Sequence, residues 1–152
     1  MNFTVRPAER RDALAVQSLY GHLNPRDPVH DDEAVLRNLD KLLLHPGLTV
    51  FLGFADSQLS STATLVVVPN MTRNGAPYAL IENVVTHPDH RGRGYGRRVI
   101  IQAIDTAWAA GCYKAMLLSG HTNLAAHRFY EACGFLRNKI GFQIRRADAL
   151  ER

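Results

Sequence analysis

The stretch HPDHRGRGYGRR, His87 to Arg98, sets three glycines and four arginines between an apolar run and an apolar-periodic segment. Upstream, YALIENVVT (78–86) alternates as a strand, with Leu80, Glu82, Val84 and Thr86 on one face and Ile81, Asn83 and Val85 on the other. Downstream, Ile100, Ile104, Ala107 and Gly111 share one helical face, while Arg98, Gln102 and Asp105 share the opposite one. A strand, a glycine-rich turn and a helix N-terminus in that order make an anion site. Glycines let the backbone approach, and unpaired N–H groups together with the helix dipole face the anion's oxygens. The pattern predicts a pyrophosphate there.

Other functions share parts of this pattern. A dinucleotide fingerprint runs GxGxxG and is followed about twenty residues on by a strand-end acid. Here Gly92, Gly94 and Gly96 run GxGxG, and no such acid follows. A nucleotide-hydrolysing P-loop continues into Lys-Ser or Lys-Thr, whereas Arg97-Arg98 follows here. An RNA-binding arm is basic and glycine-rich too, but belongs in a disordered tract or beside stacking aromatics. This stretch lies between two well-patterned elements, so a phosphate cradle is favoured over a nucleic-acid arm or a plain basic loop, and no nucleic-acid partner is expected.

Working outward, FTVRP (3–7) reads as a strand, and Val16, Leu19, Tyr20 and Leu23 as the stripe of a helix that NPRDP stops. After Asp31 or Asp32 as N-cap, Val35, Leu39, Leu42 and Leu43 trace a second helix, ended before His45-Pro46-Gly47. LTVFLGFA (48–55) and LSSTATLVVV (59–68) form a hairpin about Asp56-Ser57. Beyond the glycine stretch and its helix, CYKAMLL (112–118) is a strand. Ala126, Phe129, Tyr130 and Cys133 then mark a short helix that Asn123 caps and Gly134 ends. GFLRN (134–138) and GFQIRR (141–146) read as closing strands. The expectation is an α/β (α+β) fold with a mixed, mostly antiparallel sheet of six to seven strands and about four helices.

The 152 residues suit a single domain, residues 1–152, and 46% hydrophobic with 21% charged residues is the balance of a chain that folds alone. No run approaches the roughly 18 apolar residues of a membrane span, and MNFTVRPAERR lacks a signal peptide's apolar core, so a cytoplasmic protein with no membrane partner is expected. The net charge of +4, with arginines concentrated at 91–98 and at Arg145-Arg146, suggests an anionic ligand. Cys112 and Cys133 have no metal-ligand spacing, and His87 and His90 lack a third ligand, so no metal is expected. Trp108 and Cys133 read as core. His121 and His127 read as a loop residue and a helix-surface residue, with proton shuttling as the alternative.

Arg91-Gly92-Arg93-Gly94-Tyr95-Gly96 resembles the [Q/R]xxGx[G/A] signature of the GNAT superfamily of acetyl-CoA-dependent N-acetyltransferases, and Asn123, Ala126, Tyr130 and Gly134-Phe135 resemble its NxxAxxxYxxxGF element. The resemblance implies acetyl-CoA as co-substrate, lying in a wedge between the strand ending near Thr86 and the strand beginning near Tyr113. It implies pyrophosphate contacts from the backbone of Gly92 to Arg97, Tyr95 included, with added charge from Arg91, Arg93 or Arg97. It further implies pantetheine contacts from the backbone of Val84 and Val85 and from Asn123.

An alkyl amine resembles lysine, with a pKa of about 10.4, so it arrives protonated and needs a base. Glu82, a carboxylate interrupting an apolar strand just before the cofactor loop, is the candidate, acting directly or through water. Tyr130 occupies the family's position for a donor to the departing thiolate. The acceptor segments offer His22, Asn24, Arg26, Arg73, Lys139 and Arg145, several able to hold an anionic group. AHRFYEACGF is similar to aminoalkylphosphonate N-acetyltransferases, and IENVV and GCYK to glucosamine-6-phosphate N-acetyltransferases, so a small amine bearing phosphorus is the implied acceptor. A protein or peptide N-acetyltransferase and a non-catalytic acyl-CoA-binding module stay open; the presence of both Glu82 and Tyr130 argues against the latter. The resemblance also implies a homodimer paired through the C-terminal strands.

Overall fold

In the computed structural model, which describes residues 2–146, five strands form one sheet in the order β1-β2-β3-β4-β5. These are β1 (Phe3–Pro7), β2 (Leu48–Ala55), β3 (Gln58–Val68), β4 (Tyr78–Thr86) and β5 (Ala115–Met116). Neighbours pair antiparallel except β5, which runs parallel to β4. A parallel pair needs a crossover, and α3 (Tyr95–Ala109) supplies it. On α3's side of the sheet, Phe51, Ala63, Leu65, Ala79 and Ile81 pack against Val99, Ile100, Ala103 and Ala107, and α4 (Leu124–Ala132) adds Phe129 and Tyr130 at the margin. On the other side, α1 (Ala13–Tyr20) and α2 (Asp32–Leu43) cover Val50 and Leu52 through Val16, Tyr20 and Leu42. Both faces of β2 are covered, which is why LTVFLGFA is apolar at nearly every position.

The local signals act as their chemistry requires. Asp31 is the N-cap of α2, its carboxylate accepting the Ala34 N–H at 2.8 Å. Asn123 caps α4 by accepting the Ala126 N–H at 3.1 Å. Asp56 and Ser57 both take positive φ, the conformation a two-residue hairpin turn needs. Gly53 is required by crowding, since a Cβ there would lie 2.5 Å from Ser61 Oγ, 2.6 Å from Phe3 Cζ and 2.7 Å from Val99 Cγ2. Gly53→Ala is therefore expected to lower stability by about 1–3 kcal/mol, the usual penalty for overpacking a core. Urea unfolding checks it, and an unchanged midpoint would mean that α3 shifts freely.

Three expectations need correction. The 112–118 strand pairs only at Ala115 and Met116, and neither 134–138 nor 141–146 forms a strand, so the described residues contain five strands rather than six to seven. The closing segments have the alternation of strands, but their backbone needs a bonded neighbour, and a two-residue β5 offers no template. Their apolar residues are left exposed, Leu136 by 80%, Ile140 by 84%, Phe142 by 92% and Ile144 by 98%. Trp108 is 49% exposed. It sits one residue, about 100°, past Ala107 and so off the face that Val99, Ile100, Ala103 and Ala107 press on the sheet.

Candidate active site

The site begins at an irregularity in β4. Thr64 lies opposite Glu82 and Thr62 opposite Val85, so Ala63 alone faces both Asn83 and Val84. That is a β-bulge. Asn83 absorbs it with φ +49°, a left-handed conformation that asparagine tolerates better than most residues. The bulge swaps the faces of the strand. Val84 packs with the α3 cluster, and Thr86 lies against Gly96 of α3, where a Cβ would come within 2.6 Å of Thr86 Oγ1. The expected alternation thus holds only as far as Glu82. Beyond it Val84 and Thr86 join the side of Ala79 and Ile81, while Glu82 and Val85 share the side of Thr64 and Thr62. The signal in the sequence was two successive polar residues in an apolar run.

The same strand supplies an open edge. β5 pairs with β4 only at Ala79–Ala115 and Leu80–Met116. From Ile81 to Thr86, about 16 Å of strand, β4 has no strand partner on that side among the described residues. Val84 and Val85 lie on this edge. It leads into the glycine turn, where Gly92 (φ +73°) and Gly94 (φ +78°) hold left-handed conformations and a Cβ on either would meet nothing within 4 Å. The turn is an open hollow, and the first-turn N–H groups of α3 have no acceptor within the helix. This fits the expected pyrophosphate cradle.

Within the cradle, Arg91 Nε donates to Thr86 O at 3.1 Å and Arg97 Nε to Ala132 O at 3.3 Å, tying the turn to β4 and α4. Arg93 is exposed. Tyr95 turns inward and stacks on Phe3 at 4.4 Å, so its contribution to a ligand is confined to the backbone, and Gly96 is buried against Thr86. Arg98 leaves the cradle altogether, donating to Phe3 O at 3.1 Å with its guanidinium 4.5 Å from the Phe3 ring.

Tyr130 sits between Phe129, at 5.1 Å, and Phe135, at 6.1 Å. Burial pushes its hydroxyl above the ordinary tyrosine range, and negative charge at Cys133 and at Glu82 adds to the effect. A phenol so placed keeps its proton and is a donor. Glu82 is exposed, and its charge is the smallest of the three causes of the rise at Tyr130. Cys133 is buried as expected, and burial raises its thiol while Arg97 opposes the rise. Asn123 stands at the head of α4 with Oδ1 engaged as the cap, a bond that makes no use of its amide N–H groups. His127 has a bracing role: Arg137 can only donate, so His127 Nδ1 accepts from it at 2.9 Å and Nε2–H donates to Gly120 O at 2.9 Å.

The candidate acceptor residues divide. His22, Asn24 and Arg26 are exposed in the segment between α1 and α2, and the His22 ring meets His87 edge-on at 4.6 Å, beside the root of the cradle. Arg73 is not brought to Glu82. It lies 5.6 Å over Tyr113, with Lys114 over Tyr78 at the far end of β4, about 13 Å of strand from Glu82. Lys139 and Arg145 lie on the exposed C-terminal segment. His87 and His90 stand 5.7 Å apart ring to ring, and no group of three or more His, Cys, Asp or Glu among the described residues is arranged to hold a metal ion. Sequence patterning read Tyr20 only as part of a helix stripe and Thr64 only as part of a strand; Thr64 lies opposite Glu82, and the Tyr20 hydroxyl is 3.4 Å from Thr64 Oγ1.

An open strand edge leads to a glycine turn at a helix N-terminus, an arrangement with room for a long, phosphorylated ligand. Residues 16–135 match the acetyltransferase (GNAT) family. The glucosamine 6-phosphate N-acetyltransferase of Trypanosoma brucei brucei is 31% identical over 137 residues, covering 89% of this chain and 90% of that protein. A putative acetyltransferase of Agrobacterium tumefaciens superposes with a TM-score of 0.90 at 49% identity, over 94% of this chain and 99% of that one. The glucosamine-6-phosphate N-acetyltransferase structure from Arabidopsis thaliana shares the fold, with a TM-score of 0.83 at 23% identity over 95% and 99% of the two chains. The chain belongs to the GNAT acetyltransferase family; it is an N-acetyltransferase, and its acetyl donor is acetyl-CoA.

Proposed function

We propose that the enzyme acetylates the primary amine of a small anionic molecule, a sugar phosphate such as glucosamine 6-phosphate or an aminoalkylphosphonate. The observation that carries this is the continuous path from Glu82 along the unpaired edge of β4 to the glycine cradle, with Tyr130 on its flank. The full-length match to a glucosamine 6-phosphate N-acetyltransferase supports the acceptor class, as does a net charge of +4.

Bound acetyl-CoA supplies a thioester whose acetyl carbon accepts the amine as the carbon–sulfur bond breaks. The first-turn backbone of α3 and the arginines of the cradle hold the pyrophosphate, and the free edge at Val84 and Val85 aligns the pantetheine as an added strand would lie. Glu82 removes the proton of the incoming ammonium, and Tyr130 holds a proton toward the departing sulfur. His22, Asn24 and Arg26 are the residues we assign to the acceptor's anionic group. Arg73, at the far end of β4, falls outside that set.

Thiol release from acetyl-CoA with glucosamine 6-phosphate, aminoalkylphosphonates and short peptides tests the proposal. Turnover with a sugar phosphate or phosphonate is expected. Turnover with peptides alone would make this a peptide acetyltransferase, and a rise in Tm with acetyl-CoA but no turnover would indicate a binding module.

We also infer a cytoplasmic homodimer. No helix among the described residues is long and apolar enough to cross a membrane. Ile140, Phe142 and Ile144 alternate along the exposed C-terminal segment, the pattern of a strand with one apolar face, and a second copy would provide its neighbour. Light scattering is expected to give twice the chain mass, and Phe142→Glu to shift the protein toward monomer.

A further inference from the structure

Glu82 does not stand alone on its face of the sheet. Thr64 is its direct cross-strand partner, and side chains directly opposite in an antiparallel pair have Cβ atoms about 4.5–5.5 Å apart. Thr64 is buried although its side chain is polar, and its hydroxyl lies 3.4 Å from the Tyr20 hydroxyl at the end of α1. Tyr20 in turn packs into the apolar cluster between α1 and the sheet. Two hydroxyls carried by two different elements thus meet at the position directly across the ladder from Glu82, at the point where the bulge turns the rest of β4 away. Of the other hydroxyls on this face of β3, Thr62 Oγ1 donates to Phe51 O at 2.8 Å and Ser60 Oγ to Gly53 O at 3.0 Å. The contact between Tyr20 and Thr64 is longer than either, and a hydroxyl retains acceptor capacity beyond a single bond.

Resting on the assignment of Glu82 as the base, we propose that Thr64 and Tyr20 are positioning residues that seat the water through which the ammonium proton reaches the Glu82 carboxylate. The proton leaves the substrate nitrogen for the water as the water's own proton passes to a Glu82 oxygen. Nitrogen is left with its lone pair and Glu82 with a carboxylic acid, which returns the proton to solvent after the turnover. The Thr64 hydroxyl holds the water beside the carboxylate, and Tyr20 orients that hydroxyl from the α1 side. Burial also keeps Tyr20 in its protonated, hydrogen-bonding form, with its bonds to Thr64 and Thr62 working in the opposite direction. The same geometry makes the end of α1 part of the catalytic apparatus, directly ahead of the acceptor segment that carries His22.

Two measurements test the assignment. In turnover with glucosamine 6-phosphate, Thr64→Val and Tyr20→Phe are each expected to lower kcat about tenfold, the loss of one hydrogen bond in the rate-limiting step. The KM for acetyl-CoA should stay unchanged, and Thr64→Ser should restore most of the rate. A purely structural role would move Tm in all three variants and would not separate Ser from Val. Glu82→Gln serves as the reference. If it is inactive while Thr64→Val and Tyr20→Phe turn over at the normal rate, the positioning role is overturned and the base stands; if Glu82→Gln is fully active, the base itself falls. The second measurement needs no acceptor. A crystal structure of the acetyl-CoA complex at high resolution should show a water within about 2.6–3.2 Å of both Thr64 Oγ1 and a Glu82 oxygen. The absence of such a water from a well-ordered site would overturn the proposal whatever amine the enzyme accepts.

Discussion

Replacing Glu82 by Gln is expected to lower kcat for amine acetylation by roughly 10²- to 10⁴-fold, the range a positioned general base contributes. The substitution keeps the size and polarity of an exposed side chain, so folding should be untouched. The cradle is built from Gly92 to Arg97 and does not include residue 82, so acetyl-CoA should raise the Tm of the variant as it does that of the parent enzyme. The loss should shrink as pH rises toward the acceptor amine's own pKa, because more acceptor then arrives already deprotonated. Measuring kcat/KM for glucosamine 6-phosphate against pH in both proteins checks this. A constant ratio between the two profiles would mean that Glu82 binds the ammonium without taking its proton.

The glycine turn and the helix caps were legible for one reason and the C-terminus was misleading for another. Glycines at 92 and 94 record a backbone requirement, positive φ over an open hollow, that few other residues meet cheaply. Asn123 and Asp31 record caps, which are local and depend on a few neighbouring residues. The end strands depend on what lies beside them. Leu136, Ile140, Phe142 and Ile144 have the composition of a strand, but a strand exists only where another backbone pairs with it, and alternation does not say whether that backbone belongs to the same chain. The bulge at Asn83 was hidden similarly. Period-2 counting assumes an unbroken ladder, and one inserted residue exchanges the faces of everything after it. That exchange puts Val84 and Thr86 against α3 while Glu82 stays on the side of Thr64. The place of Arg73 was hidden for want of distance information. Membership of the loop before β4 set it near Glu82 in sequence, but its guanidinium lies over Tyr113, at the end of β4 remote from Glu82.

Tyr130→Phe is expected to lower kcat by about tenfold to a hundredfold, less than the loss of the base, because a thiolate with a pKa of about 8.5 already leaves without much assistance. Phe retains the ring contacts with Phe129 and Phe135, so Tm should be unchanged and the difference can be assigned to the hydroxyl. The pH dependence follows from the direction of the shift. The proposed donor role needs Tyr130 as the protonated phenol, and burial, then the charges at Cys133 and Glu82, raise its pKa above the ordinary value of 10.0. The donor therefore persists through neutral and mildly alkaline pH and is lost only above the usual tyrosine range. Parent enzyme should show no tyrosine-dependent fall in kcat below that range, and the Phe variant should run beneath it by a constant factor. The factor should contract where the parent's own phenol ionises. Thioester analogues with more acidic thiols give an independent check, since a better leaving group needs less protonation: the penalty of the substitution should diminish as the thiol pKa falls. If the penalty stays the same across the thiol series, Tyr130 acts by shaping the end of the wedge and the proton for the departing sulfur comes from elsewhere.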